Sequence, residues 1–316
     1  MLKFTKTHPS SWQRPAKVAL FAAVAVPLLT HCGGSSEGSA TDNELLQITT
    51  EKAAYVEGVG LNTASNILYV LPEIEDVPVK RLTAQAKALQ AKALQAKASS
   101  DDEVVACGTS GNYTIQRENA VTTITYNQCI DKGIDDEGDA YTDTINGWVR
   151  YTTRTALPGY DSTELVEEDT TASLVYDARY NITTRVQTQM VLSQAGTKYR
   201  VDDARHTLID KGTWDGVAFD LTSAAQSMQI TVTPNGMEYT GRVGTWGMDY
   251  DGNPAMGGMV NTRTTTPLVF GDTDGTVIKA GAVRSEGAKG TQGEVVFSVS
   301  GHATSVNGAP VRSGRW

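Results

Sequence analysis

The strongest pattern along the chain is alternation. From Ala178 to Leu192, one side carries Ala178, Tyr180, Ile182, Thr184, Val186, Thr188, Met190 and Leu192. The other side carries Arg179, Asn181, Thr183, Arg185, Gln187 and Gln189. Period two predicts an antiparallel strand with one face buried. At about 3.4 Å per residue it would run roughly 50 Å, longer than the usual strand. Similar runs follow at Tyr199–Ile209, Trp214–Leu221, Met228–Val232, Met237–Val243, Met259–Thr265, Val277–Val283 and Glu294–Ser300, with turn signals such as Pro234-Asn235-Gly236 between them. No helical period interrupts them, so neighbours in sequence are expected to pair in space as a β-meander. Gly212-Thr213-Trp214 and Gly244-Thr245-Trp246 echo each other and read as equivalent turn or strand-start positions.

Upstream the pattern is helical. Thr49 suits an N-cap and Glu51 a first turn. Ala53, Val56, Gly60, Ala64, Ile67 and Leu71 then recur at three- and four-residue steps and stop before Pro72. The spacing predicts a helix over 48–71 with a narrow face that packs on the sheet. Residues 72–103 contain AKALQ-AKALQ-AKA, all good helix formers. Five residues turn a helix by about 500°, so the leucines spiral around the axis and form no coiled-coil seam. This stretch reads as a solvated helical or disordered spacer before a β domain over 104–316.

The first 31 residues have a different character. Lys3, Lys6, Arg14 and Lys17 precede the apolar run Val18–Leu29, and no acidic residue occurs before Cys32. A cationic start and a short apolar core predict a secretory signal over 1–31. Twelve residues at about 1.5 Å each are too few to span a hydrocarbon core of roughly 30 Å. Leu29-Thr30-His31-Cys32 resembles the lipobox of bacterial lipoproteins, with His31 standing where a small residue is usual. That resemblance implies cleavage before Cys32, a diacylglyceryl group on its thiol and, with Gly33 rather than Asp next, sorting to the outer membrane. If His31 blocks processing, the protein is soluble in the periplasm. Gly33-Gly34-Ser35-Ser36 opens a flexible tether over 32–47.

Charge sharpens the picture. Four of the 27 Lys and Arg, and none of the 36 Asp and Glu, lie in the leader, so the net charge moves from −9 for the whole chain to −13 without it. An acidic body argues against nucleic acid as a partner and against electrostatic docking on anionic lipid. The lipid on Cys32 would then be the hold on the membrane. The two remaining cysteines, Cys107 and Cys129, read as a disulfide in an exported chain. It would close a hairpin built from Tyr113–Arg117, a turn at Glu118-Asn119 and Val121–Tyr126.

The disulfide hairpin C-x-x-G…N-x-C, the Asn146-Gly147-Trp148-Val149 strand start, the Ile48-Thr-Thr-Glu helix start and Thr264-Thr-Thr-Pro-Leu-Val-Phe-Gly271 together resemble a group of proteobacterial lipoproteins of unassigned activity. The resemblance implies a fold and a compartment. It transfers no catalytic residue.

Candidate chemistry is sparse. Asp131, Asp135, Asp136, Glu137, Asp139 and Asp143 crowd one loop and form a weak Ca²⁺ candidate. Asp249-Tyr-Asp251-Gly252 and Asp272-Thr-Asp274-Gly275 lack the glutamate a calcium loop needs twelve positions on, and read as turns. There is no G-x-S-x-G, His206 reads as a surface or hydrogen-bonded histidine, and no catalytic residue or cofactor is expected. Tyr176, Tyr180, Trp214, Tyr239 and Trp246 form a candidate ligand face, with the core side of the sheet as the simpler reading. The expected fold is all-β with one N-terminal helix: a long antiparallel meander, curved or half-barrel, packed over that helix. The expected role is a lipid-anchored envelope protein with a non-catalytic structural or binding function. The alternatives are a carrier of an apolar ligand between sheet and helix, a transmembrane β-barrel and an envelope hydrolase.

Overall fold

Alternation becomes fourteen antiparallel strands in the computed structural model, which describes residues 45–53, 58, 102–134, 138–177, 180–255, 257–270 and 278–315. They are β1 Glu103–Ala106, β2 Ser110–Glu118, β3 Val121–Ile134, β4 Ala140–Arg154, β5 Ser162–Val175, β6 Asn181–Ala195 and β7 Lys198–Trp214. The series continues with β8 Val217–Thr233, β9 Gly236–Met248, β10 Gly258–Phe270, β11 Ile278–Glu286, β12 Gln292–Ser298, β13 Gly301–Val306 and β14 Ala309–Gly314. All pair in chain order in one sheet, open between β1 and β14. The meander is therefore as the alternation predicts.

β6 buries Ile182, Thr184, Val186, Thr188, Met190 and Leu192 and exposes Thr183, Arg185, Gln187 and Gln189 between them, with Val191 half-buried. Two breaks in alternation hid the full length of its neighbours. In β7 both Val201 and Ala204 are buried, because Asp203 adopts φ 48° and the register slips there. In β8 Ala225 and Met228 are likewise both buried, with Ser227 at φ 50°. Each is a bulge, which inserts a residue and resets the faces. The run expected at Trp214–Leu221, less Trp214 at the end of β7 and the Asp215-Gly216 turn, and the run at Met228–Val232 are thus one strand, β8. Gly147 also departs from expectation. It lies inside β4, not at its start, and its φ of 111° lets β5 approach. A Cβ there would come within 2.2 Å of the Asp169 carbonyl oxygen.

The Cys107–Cys129 disulfide is formed, with Cα atoms 5.3 Å apart. It joins the start of the β1–β2 connection to β3 across β2. The β2–β3 turn sits at Asn119-Ala120, and β3 runs on past Cys129 to Ile134.

The helix expected over 48–71 is not supported. Its described residues give a 3-10 turn at Thr50–Lys52 after extended backbone at Thr49, and among the described residues no helix reaches seven residues. Residues 59–71 and the leader, Cys32 and 72–101 lie outside the described residues. Ile48 and Ala53 nevertheless pack in the main core. The segment is stitched to the sheet: the Leu46 N–H donates to Met259 O at 2.8 Å, Ala288 N–H to Leu46 O at 2.7 Å, and Ile48 N–H to Thr291 Oγ1 at 2.9 Å.

The two faces differ sharply. The inner face carries one contiguous apolar cluster from Val166 on β5 to Val306 on β13. The outer face carries Arg150–Glu167, Arg185–Asp169, Lys211–Asp220, Arg263–Glu286 and Arg284–Glu294 ion pairs between neighbouring strands. Exposed pairs of this kind are each worth about 0–1 kcal/mol, so burial of the inner face is the larger stabilising term.

Candidate functional site

The meander has two ends. Odd strands end, and even strands begin, at the end that holds the Asp215-Gly216 turn, the 249–257 loop and the Leu45–Ala53 segment. We term this the proximal end. The distal end holds the turns at Asn119-Ala120, Gly196-Thr197 and Pro234-Asn235.

The inner face is layered along its length. Toward the distal end Met190, Leu192, Tyr199, Val201, Ile230, Val232 and Met237 form apolar core. Midway lies a polar band. Thr188 faces His206, and Thr184 faces Asp210, across β6 and β7. All four are buried. His206 Nδ1 and Thr188 Oγ1 are 3.0 Å apart and share a hydrogen bond. Burial pushes the imidazole down to about 4, so it is neutral at physiological pH. The Tyr250 hydroxyl donates to Asp210 Oδ2 at 2.7 Å. Burial pushes the Asp210 carboxyl up to about 6, and the Thr184 and Tyr250 hydroxyls oppose that rise.

Toward the proximal end the band meets aromatic side chains. Tyr180 meets Trp214 edge-on at 5.4 Å, Trp214 meets Tyr250 at 6.3 Å, and Phe219 lies 4.4 Å from Tyr250. The Tyr180 hydroxyl donates to Asp215 Oδ1 at 3.0 Å. Tyr176 packs instead on Tyr141, with ring centroids 6.0 Å apart.

The five expected ligand-face residues therefore divide. Tyr180 and Trp214 meet, and Tyr176 sits nearby on the same end of the sheet. Tyr239 is buried in the main core, where burial raises its phenol pKa. Trp246 lies on β9 with opposite parity to the inward Val243 and Thr245, hence on the other face. The Gly-Thr-Trp echo is thus a pair of strand ends, not starts, with the two indoles on opposite faces. Tyr250 and Phe219, which complete the cluster, were not singled out by sequence. Tyr250 comes from a loop whose Asp-Gly signal reads only as a turn. That turn is real: Asp249 Oδ1 accepts from the N–H groups of Asp251 at 3.0 Å and Asn253 at 2.8 Å.

The acidic loop is partly described. Asp131 on β3 faces Asp143 on β4, and Asp139 lies exposed in the connection. Burial, with the Asp131 charge second, pushes the Asp143 carboxyl up to about 6. Asp135, Asp136 and Glu137 lie outside the described residues, as do Asp272 and Asp274. Among the described residues no group of three or more His, Cys, Asp or Glu is placed to hold a metal. His302 packs against Phe297 with centroids 6.3 Å apart, and Ser300 Oγ lies 3.1 Å from Ser298 Oγ.

No protein-family model matches the chain, and neither curated proteins nor solved structures include one similar to it.

Proposed function

We propose that the chain is an outer-membrane lipoprotein, held by a lipid on Cys32, whose β domain is a non-catalytic structural or binding body in the aqueous envelope. The observation that carries this reading is the division of the sheet into a buried apolar face and an ion-paired face exposed to water. A body so divided, and acidic overall, has little of its own with which to insert in lipid, so the anchor falls to the leader cysteine. Fourteen strands exceed the roughly ten that an open twisted sheet carries without curling. Curling toward a half-barrel would also cover the inner face, whose residues such as Val166 and Val260 are fully buried.

The test is metabolic labelling of the full-length chain with an alkyne palmitate analogue. The expected result is a labelled band that Cys32→Ser abolishes. An unlabelled wild-type chain recovered in the periplasmic fraction refutes the anchor.

A further inference from the structure

The first described residues fix a direction. Leu45 bridges Met259 in parallel, so the chain there runs alongside β10 from the proximal end toward the distal one. Leu45, the first described residue of this segment, therefore stands at the proximal end. Cys32 is 13 residues upstream, a reach of at most about 45 Å.

Exposed apolar side chains also occur at that end, on more than one strand. Six large hydrophobics are exposed among the described residues, and three of them, Ile134, Val217 and Met248, stand at the last residue of β3, the first of β8 and the last of β9. Ile134 is 72% exposed. Beside Val217 lie the half-buried Trp214, which pairs with it across β7 and β8, and Tyr180, whose ring meets Trp214. Turn ends facing bulk water are ordinarily polar, so Val217 and Met248 on neighbouring strands, with Ile134 on β3 at the same end, mark this rim as an interaction surface. Tyr and Trp rings, apolar with one polar edge, suit the boundary between lipid and water.

We infer that the proximal rim is a bilayer-resting surface, with Ile134, Tyr180, Trp214, Val217 and Met248 seated at the headgroup level of the membrane. The inference rests on the lipoprotein reading for its anchor. Two observations point to lipid as the occupant: Leu45 stands at this rim, and only 13 residues of sequence separate it from Cys32. Charge sets the lipid class. The exposed Asp177, Asp215 and Asp251 share the turns beside Tyr180, Trp214, Val217 and Met248, so the favoured surface there is zwitterionic and anionic lipid opposes seating.

The experiment starts the chain at Cys32 and couples that thiol, the only one outside the disulfide, to a maleimide phospholipid in phosphatidylethanolamine–phosphatidylcholine vesicles. Amide hydrogen exchange is compared with the same chain blocked by N-ethylmaleimide. Exchange is expected to slow at least fivefold at the 176–177, 215–216 and 249–252 turns and to stay unchanged at 196–197 and 234–235. Val217→Glu with Met248→Glu, both surface changes, is expected to remove that slowing, and phosphatidylglycerol in place of half the phosphatidylethanolamine to reduce it. Equal exchange at both ends, or slowing at the distal turns, overturns the inference. So does equal slowing in the blocked chain at high protein concentration, which would assign the rim to a second copy. Palmitate labelling reports on the anchor separately. An unlabelled native chain whose coupled form still seats by this rim would refute the anchor and keep the surface; a labelled chain with no rim protection would do the reverse.

Discussion

His206 and Asp210 sit four residues apart on β7, both inward and both buried, and acid moves them in opposite senses. The folded Asp210 carboxyl is pushed up to about 6 from 3.8, so between those values the native state holds a proton that the unfolded chain has released. Its contribution therefore favours folding as pH falls through that window and is lost as pH rises through 6. Asp143 behaves alike, also from 3.8 to about 6. His206 is pushed down from 6.5 to about 4, so the unfolded chain takes the proton first and stability is lost as pH falls through that window. Each shift corresponds to about 3 kcal/mol, and two gains against one loss leave a net gain on acidification from pH 7 toward 4. His206→Gln removes the loss, so its urea midpoint is expected to rise more steeply with acid than that of the wild type. Asp210→Asn, which keeps an oxygen for the Tyr250 hydroxyl, is expected to rise less steeply. Parallel midpoint-against-pH curves for the three proteins would show that these groups titrate as they do when unfolded.

Two connections hold elements whose sequence neighbours do not. The Cys107–Cys129 bridge closes a loop of about 20 residues around β2, worth roughly 3 kcal/mol in the chain-entropy account. Cys107→Ser with Cys129→Ser is expected to cost about that much in denaturant unfolding and to speed amide exchange in β1 and β2 first, since β1 is a four-residue edge strand. The second connection is Ile48, 1% exposed and 243 residues from its partner Thr291. Ile48→Ala is expected to cost about 2–5 kcal/mol and to open the Leu45–Ala53 segment to limited proteolysis while the meander persists. The sequence reads these elements unevenly, for physical reasons. β6 was legible because buried and outward positions alternate from Asn181 to Leu192. β8 looked like two strands because the Ser227 bulge resets its faces amid small residues. The disulfide was legible from cysteine parity. Of the aromatic cluster, Tyr180 and Trp214 stand in alternating runs that the sequence displays, whereas Tyr250 does not, because a loop residue reaches the sheet through no periodicity. Trp246 shows the reverse: its sequence neighbours resemble those of Trp214, yet strand parity turns it to the other face. Buried Thr184, Thr188, His206 and Asp210 carry the core side of the alternation in polar guise, and composition alone cannot tell such positions from surface ones.

At the scale of the whole molecule, the question is which solvent the outer face was built for. A spanning barrel turns an apolar band about 25 Å tall toward lipid, and a cationic side chain at the bilayer midplane costs about 2–4 kcal/mol. In this sheet the outward residues halfway along the central strands are Glu167 and Asp169 on β5, Arg185 and Gln187 on β6, and Arg205 on β7. Arg185 grips Asp169 through two hydrogen bonds of 3.0 and 2.9 Å, which hold that carboxyl below its usual range. Pairing at that depth in hydrocarbon would still carry the desolvation of both ions. In water the same ladder keeps the face soluble, and inter-strand pairs and the short, Pro310-bearing β14 discourage edge association. The chain without residues 1–31 and with Cys32→Ser is therefore expected to purify from the soluble fraction, to run as a monodisperse species without detergent, and to give one far-ultraviolet circular dichroism spectrum with or without detergent micelles. A requirement for detergent, or strand signal that grows on adding it, would mean that the ion-paired face is not the outermost one. The same protein should separate from vesicles on flotation, because the few exposed apolar residues at the proximal rim bury too little area to hold a body that has no lipid of its own.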